Sequence, residues 1–307
     1  LKNYSNCVSC PRECNANRFS RENSFCNTGD KPLVSAIIPH KGEEPVISGK
    51  NGICNVFFAH CNLACVFCQN IQISENKILK SSWLSDVDLI ANNIIKILDT
   101  GITMLGFVSP SHQVYQMIDI ISKVNSRGYF PTIVYNSNCY DSVKLLRELN
   151  DIVDVYLPDF KYFSNELALK YSKVSDYLQF SILALKEMIW QKGTSLLINE
   201  NGLISSGVIV RHLVLPGHTD DSKNLLTFIA NEISPNLSIS LMSQYSPIFY
   251  NGQVHNLKRP ITETEYKEVV DTFYNLGFFR GWIQDIASNN LYLPDFSREL
   301  PFNIQKK

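Results

Sequence analysis

From about Gly52 onward, short β-branched or aromatic runs alternate with longer amphipathic stretches, the pattern of repeated βα units around a parallel sheet. Strands are expected near 53–58, 102–108, 131–136, 152–157, 207–214, 238–243 and 279–283. Helices fall between them: Asp86 to Leu98 carries Leu89, Ile90, Ile94, Ile95 and Leu98 on one face, and Val114 to Val124 and Asp141 to Leu149 repeat the theme. Right-handed crossovers would curl such a sheet into a complete or partial barrel. The first fifty residues differ, being rich in Asn, Arg and Cys with little hydrophobic periodicity. The expected organisation is an α/β chain with a Cys-rich extension over 1–50, needing a metal to fold, and a partial-barrel domain over 51–307. The segment 249–258 is expected as a loop near the mouth or rim of that barrel.

Composition narrows the function. Apolar residues make up 45 % of the 307 and charged residues 19 %, enough for a large buried core. The net charge of -1 and pI of about 6.7 supply no broad basic surface, so no nucleic-acid partner is expected. Charged or amide residues interrupt every hydrophobic run before the roughly 18–20 residues a membrane span needs, and the opening Leu-Lys-Asn-Tyr-Ser has no apolar leader core. A cytoplasmic protein without membrane partners is expected.

Nine cysteines at uneven spacing do not read as a disulfide framework; metal binding is the better reading. Active sites of βα folds gather at the C-terminal ends of the strands. There stand Cys61, Cys65 and Cys68 after the first expected strand, Ser109-Pro110-Ser111-His112 after the second, and Asn136-Ser137-Asn138-Cys139 after the third. Pro158-Asp159-Phe160-Lys161 and Pro216-Gly217-His218 follow the next two. Three thiolates in eight residues let one loop fold around one face of a cubane cluster and leave one iron open. A structural zinc knot or a ferredoxin-like carrier would need a fourth ligand from elsewhere. Cys54, within a strand, reads as a small buried residue. The six histidines show no H-E-x-x-H spacing, which weighs against a zinc hydrolase; His60, beside the cluster loop, reads equally as a partner of that loop or as a strand-end polar group.

The order C-x3-C-x2-C after the first strand resembles the signature of the radical S-adenosylmethionine superfamily. The resemblance implies a (β/α)6-type partial barrel, a [4Fe-4S] cluster on Cys61, Cys65 and Cys68, and S-adenosylmethionine bound at the open iron. One electron would cleave the cofactor to methionine and a 5'-deoxyadenosyl radical, which removes a hydrogen atom from substrate. Phe67 would lie where a ring can shield the adenine. Longer words extend the resemblance from about Cys7 to Gln284 and narrow it to the pyruvate formate-lyase activating enzyme-like branch, particularly its PflX-type members. They are Cys-Pro-Arg-Glu-Cys at 10–14, His40 to Pro45 with Ile47-Ser48-Gly49, Cys61 to Asn70, Tyr156 to Tyr162, Arg211 to Gly217 and Leu241 to Tyr245. Such enzymes install a glycyl radical on a partner enzyme, so that partner and a low-potential electron donor such as flavodoxin or ferredoxin are expected. A small-molecule substrate is the alternative within this chemistry, and a noncatalytic Fe-S electron carrier or metal-binding protein the alternative outside it.

Many members carry Gly-Gly-Glu after the second strand to receive the cofactor's ammonium group, whereas this chain has Ser109-Pro110-Ser111-His112; Ser109, Ser111 or a backbone carbonyl must substitute. His112 reads equally as a cofactor contact or a helix cap. Asn136 and Ser137 resemble cofactor-contacting positions, and Asp159 and Lys161 resemble an Asp-x-Lys that lies at the cofactor and a monovalent cation. Arg211 and His212 are adjacent on a strand, so only one points into the barrel; His212 is taken as the cofactor-facing candidate. Cys139 is a candidate hydrogen-atom donor at the mouth, against an ordinary packing role. At the amino terminus Cys7, Cys10, Cys14 and Cys26 offer four soft ligands for either a structural zinc ion or a second [4Fe-4S] cluster.

Overall fold

A computed structural model describes residues 3–250, 252–290, 293–298 and 300–302. Its strands are β1 (Val34–His40), β2 (Ile53–Phe58), β3 (Met104–Val108), β4 (Thr132–Ser137), β5 (Val155–Pro158), β6 (Leu197–Ile198), β7 (Ile204–Leu213), β8 (Ser238–Met242) and β9 (Gly281–Ile283). The helices are α1 (Pro45–Ser48), α2 (Ile71–Ser74), α3 (Val87–Leu98), α4 (Val114–Asn125), α5 (Val143–Glu148), α6 (Asn165–Ser172), α7 (Tyr177–Lys192), α8 (Thr219–Glu232) and α9 (Glu263–Asn275). All seven expected strands form, within a few residues of their expected ends. They lie side by side in the order β2-β3-β4-β5-β7-β8-β9, every pair parallel.

Two strands lie outside that parallel set. Short β6 pairs with β7, and β1 pairs antiparallel with β2, so the Cys-rich first fifty residues contribute an edge of the sheet itself. Pro39 lies inside β1 and is tolerated because an edge strand can leave one side of its ladder unpaired. The expected rim segment 249–258 carries 3-10 turns at Pro247–Phe249 and His255–Lys258, with Asn251 outside the described residues.

The helices cover one face of the sheet. In α3 the buried positions are Ile90, Ala91, Ile94 and Leu98, and the Asp86 side chain caps the first turn through Leu89 N at 2.8 Å. Leu89, expected on the buried face, is 46 % exposed. In α4, Val114, Met117, Ile121 and Val124 repeat the helical spacing against the same layer. Among the described residues no helix is long and apolar enough to cross a membrane.

Strand periodicity divides the core in two. Cys54, Val56, Leu105, Phe107, Tyr135 and Tyr156 face the helices. Alternate residues Ile53, Met104, Val134, Val155 and Ile209 face the other way and close around Ile47 of α1, which is fully buried among them. Helix α1 thus plugs the N-terminal end of the partial barrel and leaves its C-terminal end for polar groups. One close approach permits this: a Cβ on Gly106 would stand 2.3 Å from Asn55 Oδ1 and 2.9 Å from Ile53 Cδ1. Asn55 is 2 % exposed and cannot swing aside. Gly106→Ala is therefore expected to destabilise the fold by about 1–3 kcal/mol, read as a lower midpoint in chemical denaturation.

Candidate active site

The loop after β2 turns twice through left-handed backbone at non-glycine residues, His60 (φ 67°) and Ala64 (φ 56°), and so folds back on itself. Side chains from elsewhere hold it. Asn76 accepts from Cys61 N and donates to Cys61 O, both at 2.9 Å; Asn62 donates to Tyr140 O at 3.0 Å and accepts from Asn138 Nδ2 at 2.7 Å. Cys65 Sγ lies 2.9 Å from Ser172 Oγ, which lies 2.8 Å from Tyr162 OH, and Ser74 Oγ donates to Cys68 Sγ at 3.3 Å.

The three thiols open on one cavity of about 310 Å³ at the C-terminal ends of the strands. Ser109, Asn136, Ser137, Asp159 and Lys161 line the same cavity, as does Phe67, whose ring packs edge-on against Tyr162, Tyr171 and Tyr245. Lys161 donates to Asp159 Oδ2 at 3.0 Å. Burial alone would lower the Lys161 pKa, but Asp159 and then Cys65 outweigh it and hold the amine above its usual range, fully charged. Burial pushes the Cys65 thiol up to about 12 against the pull of Lys161; metal coordination removes such a proton outright.

Four expected site residues lie behind the cavity wall. His212 faces the helices: Nδ1 is 2.7 Å from Phe160 O and Nε2 is 2.8 Å from Ser222 Oγ. A carbonyl only accepts, so Nδ1 carries the proton and Nε2 accepts from Ser222. Burial lowers the His212 pKa to about 4, so the ring is neutral and structural. His112, lowered by burial to about 3, contacts Ala59 O at 3.0 Å and Gln113. Ser111 is 1 % exposed, beside Tyr135 and Asp141 on the outer side. Cys139 takes left-handed backbone (φ 64°) and points its thiol at Ser181 O, 3.6 Å away and out of the cavity. Its thiol, expected at the mouth, is not among the groups that line the cavity.

What faces inward in place of His212 is its neighbour Arg211. The guanidinium forks onto Glu44, with Nε to Oε1 at 2.9 Å and Nη2 to Oε2 at 2.6 Å, and Nη2 also bonds Glu43 Oε2. Asn55 Nδ2 donates to the second Glu43 oxygen at 2.6 Å. Glu43, Glu44 and Arg211 all line the cavity. The word His40 to Pro45 stood out in the sequence, but only its placement inside the barrel shows what its carboxylates meet. Gln244 and Gln284, hydrogen-bonded to each other at 2.9 Å, complete the wall and tie to Gln69 of the cysteine loop.

Among the described residues, no three His, Cys, Asp or Glu side chains already surround a single metal ion. A cubane cluster does not require that, because its thiolates bind different irons. The donor set and its shared cavity fit such a cluster.

Residues 47–175 match the family model of the 4Fe-4S single cluster domain. That segment carries the three-thiolate loop, which opens on the cavity at the C-terminal ends of the parallel strands. Over 282 residues, 89 % of this chain and 76 % of the other, it is 30 % identical to the uncharacterized protein MJ0674 of Methanocaldococcus jannaschii, and it belongs to that protein's family. Among solved structures, methylornithine synthase (PylB) aligns with a TM-score of 0.47 at 13 % identity, covering 72 % of this chain and 62 % of that one. SuiB of Streptococcus suis bound to S-adenosylmethionine aligns at 0.46 and 10 % identity, covering 76 % and 50 %. The chain thus spans less than two thirds of either of these two solved chains.

The Arg211 network sets a pH dependence. Burial would raise the Glu43 pKa, but Arg211 first, then His40 and Asn55, bring it from 4.5 down to about 2. A folded-state pKa held below the unfolded one adds stability that is present above about 4.5 and lost as pH falls toward 2. In Arg211→Met the Glu43 carboxylate loses its cation and burial raises its pKa instead, so the deficit grows as pH rises. The expected loss is about 3–5 kcal/mol at neutral pH. Denaturant midpoints should separate variant from wild type less near pH 5 than near pH 8.

Proposed function

We propose that the protein abstracts a hydrogen atom from its substrate, with the cluster held by Cys61, Cys65 and Cys68 and the cofactor lying in the cavity they share with Asn136, Ser137, Asp159 and Lys161. That sharing is the observation that supports the reading most: sulfur ligands after β2 and polar groups after β3, β4 and β5 open on one space. Together, when bound, cluster and S-adenosylmethionine supply the one-electron chemistry that generates the abstracting radical.

The chain's own residues bind, orient and exclude water. Cys61, Cys65 and Cys68 would hold the cluster through three thiolates. A cluster thiolate can only accept, so the Ser172 hydroxyl donates to Cys65 Sγ and Tyr162 donates to Ser172. Phe67 presents its ring to the cavity, backed by Tyr162, Tyr171 and Tyr245, and keeps water from the reacting end. Ser109 reaches the cavity and Ser111 does not, so Ser109 or its carbonyl takes the place of the missing Gly-Gly-Glu toward the cofactor's ammonium group.

The resemblance to the pyruvate formate-lyase activating enzyme-like branch supports a backbone glycine of a partner enzyme as the hydrogen source, with electrons from a flavodoxin- or ferredoxin-type donor. The floor of Glu43, Glu44 and Arg211 favours a second reading, a small polar molecule held within the barrel.

The deciding experiment is anaerobic reconstitution, reduction with dithionite and addition of S-adenosylmethionine, with 5'-deoxyadenosine quantified. Wild type is expected to form it and Cys65→Ala to form none; an intact, reduced wild-type cluster without product would return the protein to electron carriage. Ser172→Ala should lower the cluster's reduction potential by removing a donor to a ligand sulfur. An unchanged potential in protein-film voltammetry would show that the hydroxyl does not reach the thiolate.

A further inference from the structure

We infer that Cys7, Cys10, Cys14 and Cys26 hold a second metal centre, a soft-metal group on four thiolates, and that this centre fixes the loop carrying Cys61. Between residues 3 and 32 there is no helix or extended strand, only a bridge between Asn17 and Glu22. Cys7, Cys10, Ala16 and Cys26 are buried yet belong to none of the three apolar clusters of the molecule. Five non-glycine residues here (Glu13, Asn15, Arg21, Asn23 and Asn27) take left-handed backbone. A segment this strained and without a core needs a cross-link, and its cysteines are all free thiols.

The thiols share one neighbourhood, close enough for Cys7 to act on Cys14 and for Cys26 and then Cys7 to act on Cys10. The loop closes through Cys7 N to Ala16 O and Asn15 N to Cys7 O, each at 3.0 Å. Arg18, only 2 % exposed, places Nε 3.0 Å from Cys7 Sγ and Nη2 2.7 Å from His112 O. A guanidinium cannot shed its proton, so it needs an anion when buried. Four thiolates on Zn²⁺, or on a [4Fe-4S]²⁺ core, carry a net charge of about -2 and supply it. Since no single-ion sphere is already closed among the described residues, loading must draw the sulfurs inward or bridge them with a cluster.

Two side chains couple this site to the catalytic loop. Arg12, between Cys10 and Cys14, donates through Nε to Asn62 O and stacks its guanidinium 3.4 Å from the centroid of the Phe25 ring. Asn76 Nδ2 donates to Phe25 O and to Cys61 O, both at 2.9 Å. Arg12 thus bonds the neighbour of Cys61 directly, and Asn76 bridges Phe25, beside Cys26, to Cys61 itself.

The test removes the catalytic cluster, so its outcome does not depend on the proposed activity. The full chain carrying Cys61→Ala, Cys65→Ala and Cys68→Ala is purified anaerobically from cells supplied with iron and zinc, and metal and sulfide are measured by mass spectrometry and colorimetry. About one zinc, or about four irons with matching sulfide, should remain, and should vanish when Cys10→Ala and Cys26→Ala are added. The wild-type chain should hold the same amount above the iron of its catalytic cluster. Metal-free triple variant and wild-type protein without that excess would overturn the proposal. Arg12→Ala and Asn76→Ala, which keep all four ligands, should retain this metal while changing the electron paramagnetic resonance spectrum of the catalytic cluster. An unchanged spectrum in both would overturn the coupling.

Discussion

A guanidinium inside the barrel holds this structure's interior in place. Arg211 projects inward from β7 and draws two carboxylates, Glu43 and Glu44, from a segment 167 and 168 residues earlier in the chain. Those carboxylates precede α1, so pairing them places Ile47 where it closes the apolar floor. A buried ion triad costs more in desolvation than it returns unless its hydrogen bonds are completed. Here Asn55 completes Glu43, and Asn55 fits because Gly106 on the neighbouring strand has no side chain. A polar decision in β7 therefore reaches across three strands and determines where the floor ends and the cavity begins.

The architecture was legible because parallel strands buried on both faces read as short apolar runs, which the alternating helices punctuate. The cysteine loop was legible too, since its three ligands lie within eight residues and need no tertiary contact to be recognised. The same holds for Asn136, Ser137, Asp159 and Lys161, which end strands whose boundaries the sequence marks and which do reach the cavity.

What escaped depends on direction and on distance along the chain. Alternation says that Arg211 and His212 face opposite ways but leaves both registers open; only the glutamates on one side and Phe160 and Ser222 on the other settle it. After β3 the chain turns through left-handed backbone at Ser109 (φ 56°), so Ser109 faces the cavity while Ser111 and His112 turn behind it. Cys139 is turned away by a similar residue conformation, its own. Strand β1 escaped because it lies in a segment rich in Asn, Arg and Cys with little hydrophobic periodicity, and only its pairing with β2 reveals it.

The cluster loop shows why ligand spacing and ligand geometry are separate problems. Spacing is written in the sequence, but the loop is not stable by itself: with left-handed backbone at His60 and Ala64, several of its peptide groups have no partner within the loop. Asn76 after α2 partners Cys61 N and O and Arg12 of the amino-terminal segment partners Asn62 O, while Asn138 after β4 holds the Asn62 side chain and the Gln244 carbonyl after β8 holds the Gln69 side chain. Ser172 at the end of α6 meets the Cys65 sulfur directly. Apart from the local Asn76 bonds, these contacts join the loop to segments distant in the chain, so its shape depends on the completed fold. The three thiolates therefore face one cavity as a consequence of the completed fold, and a change in any of the supporting segments acts on the ligands without touching a cysteine.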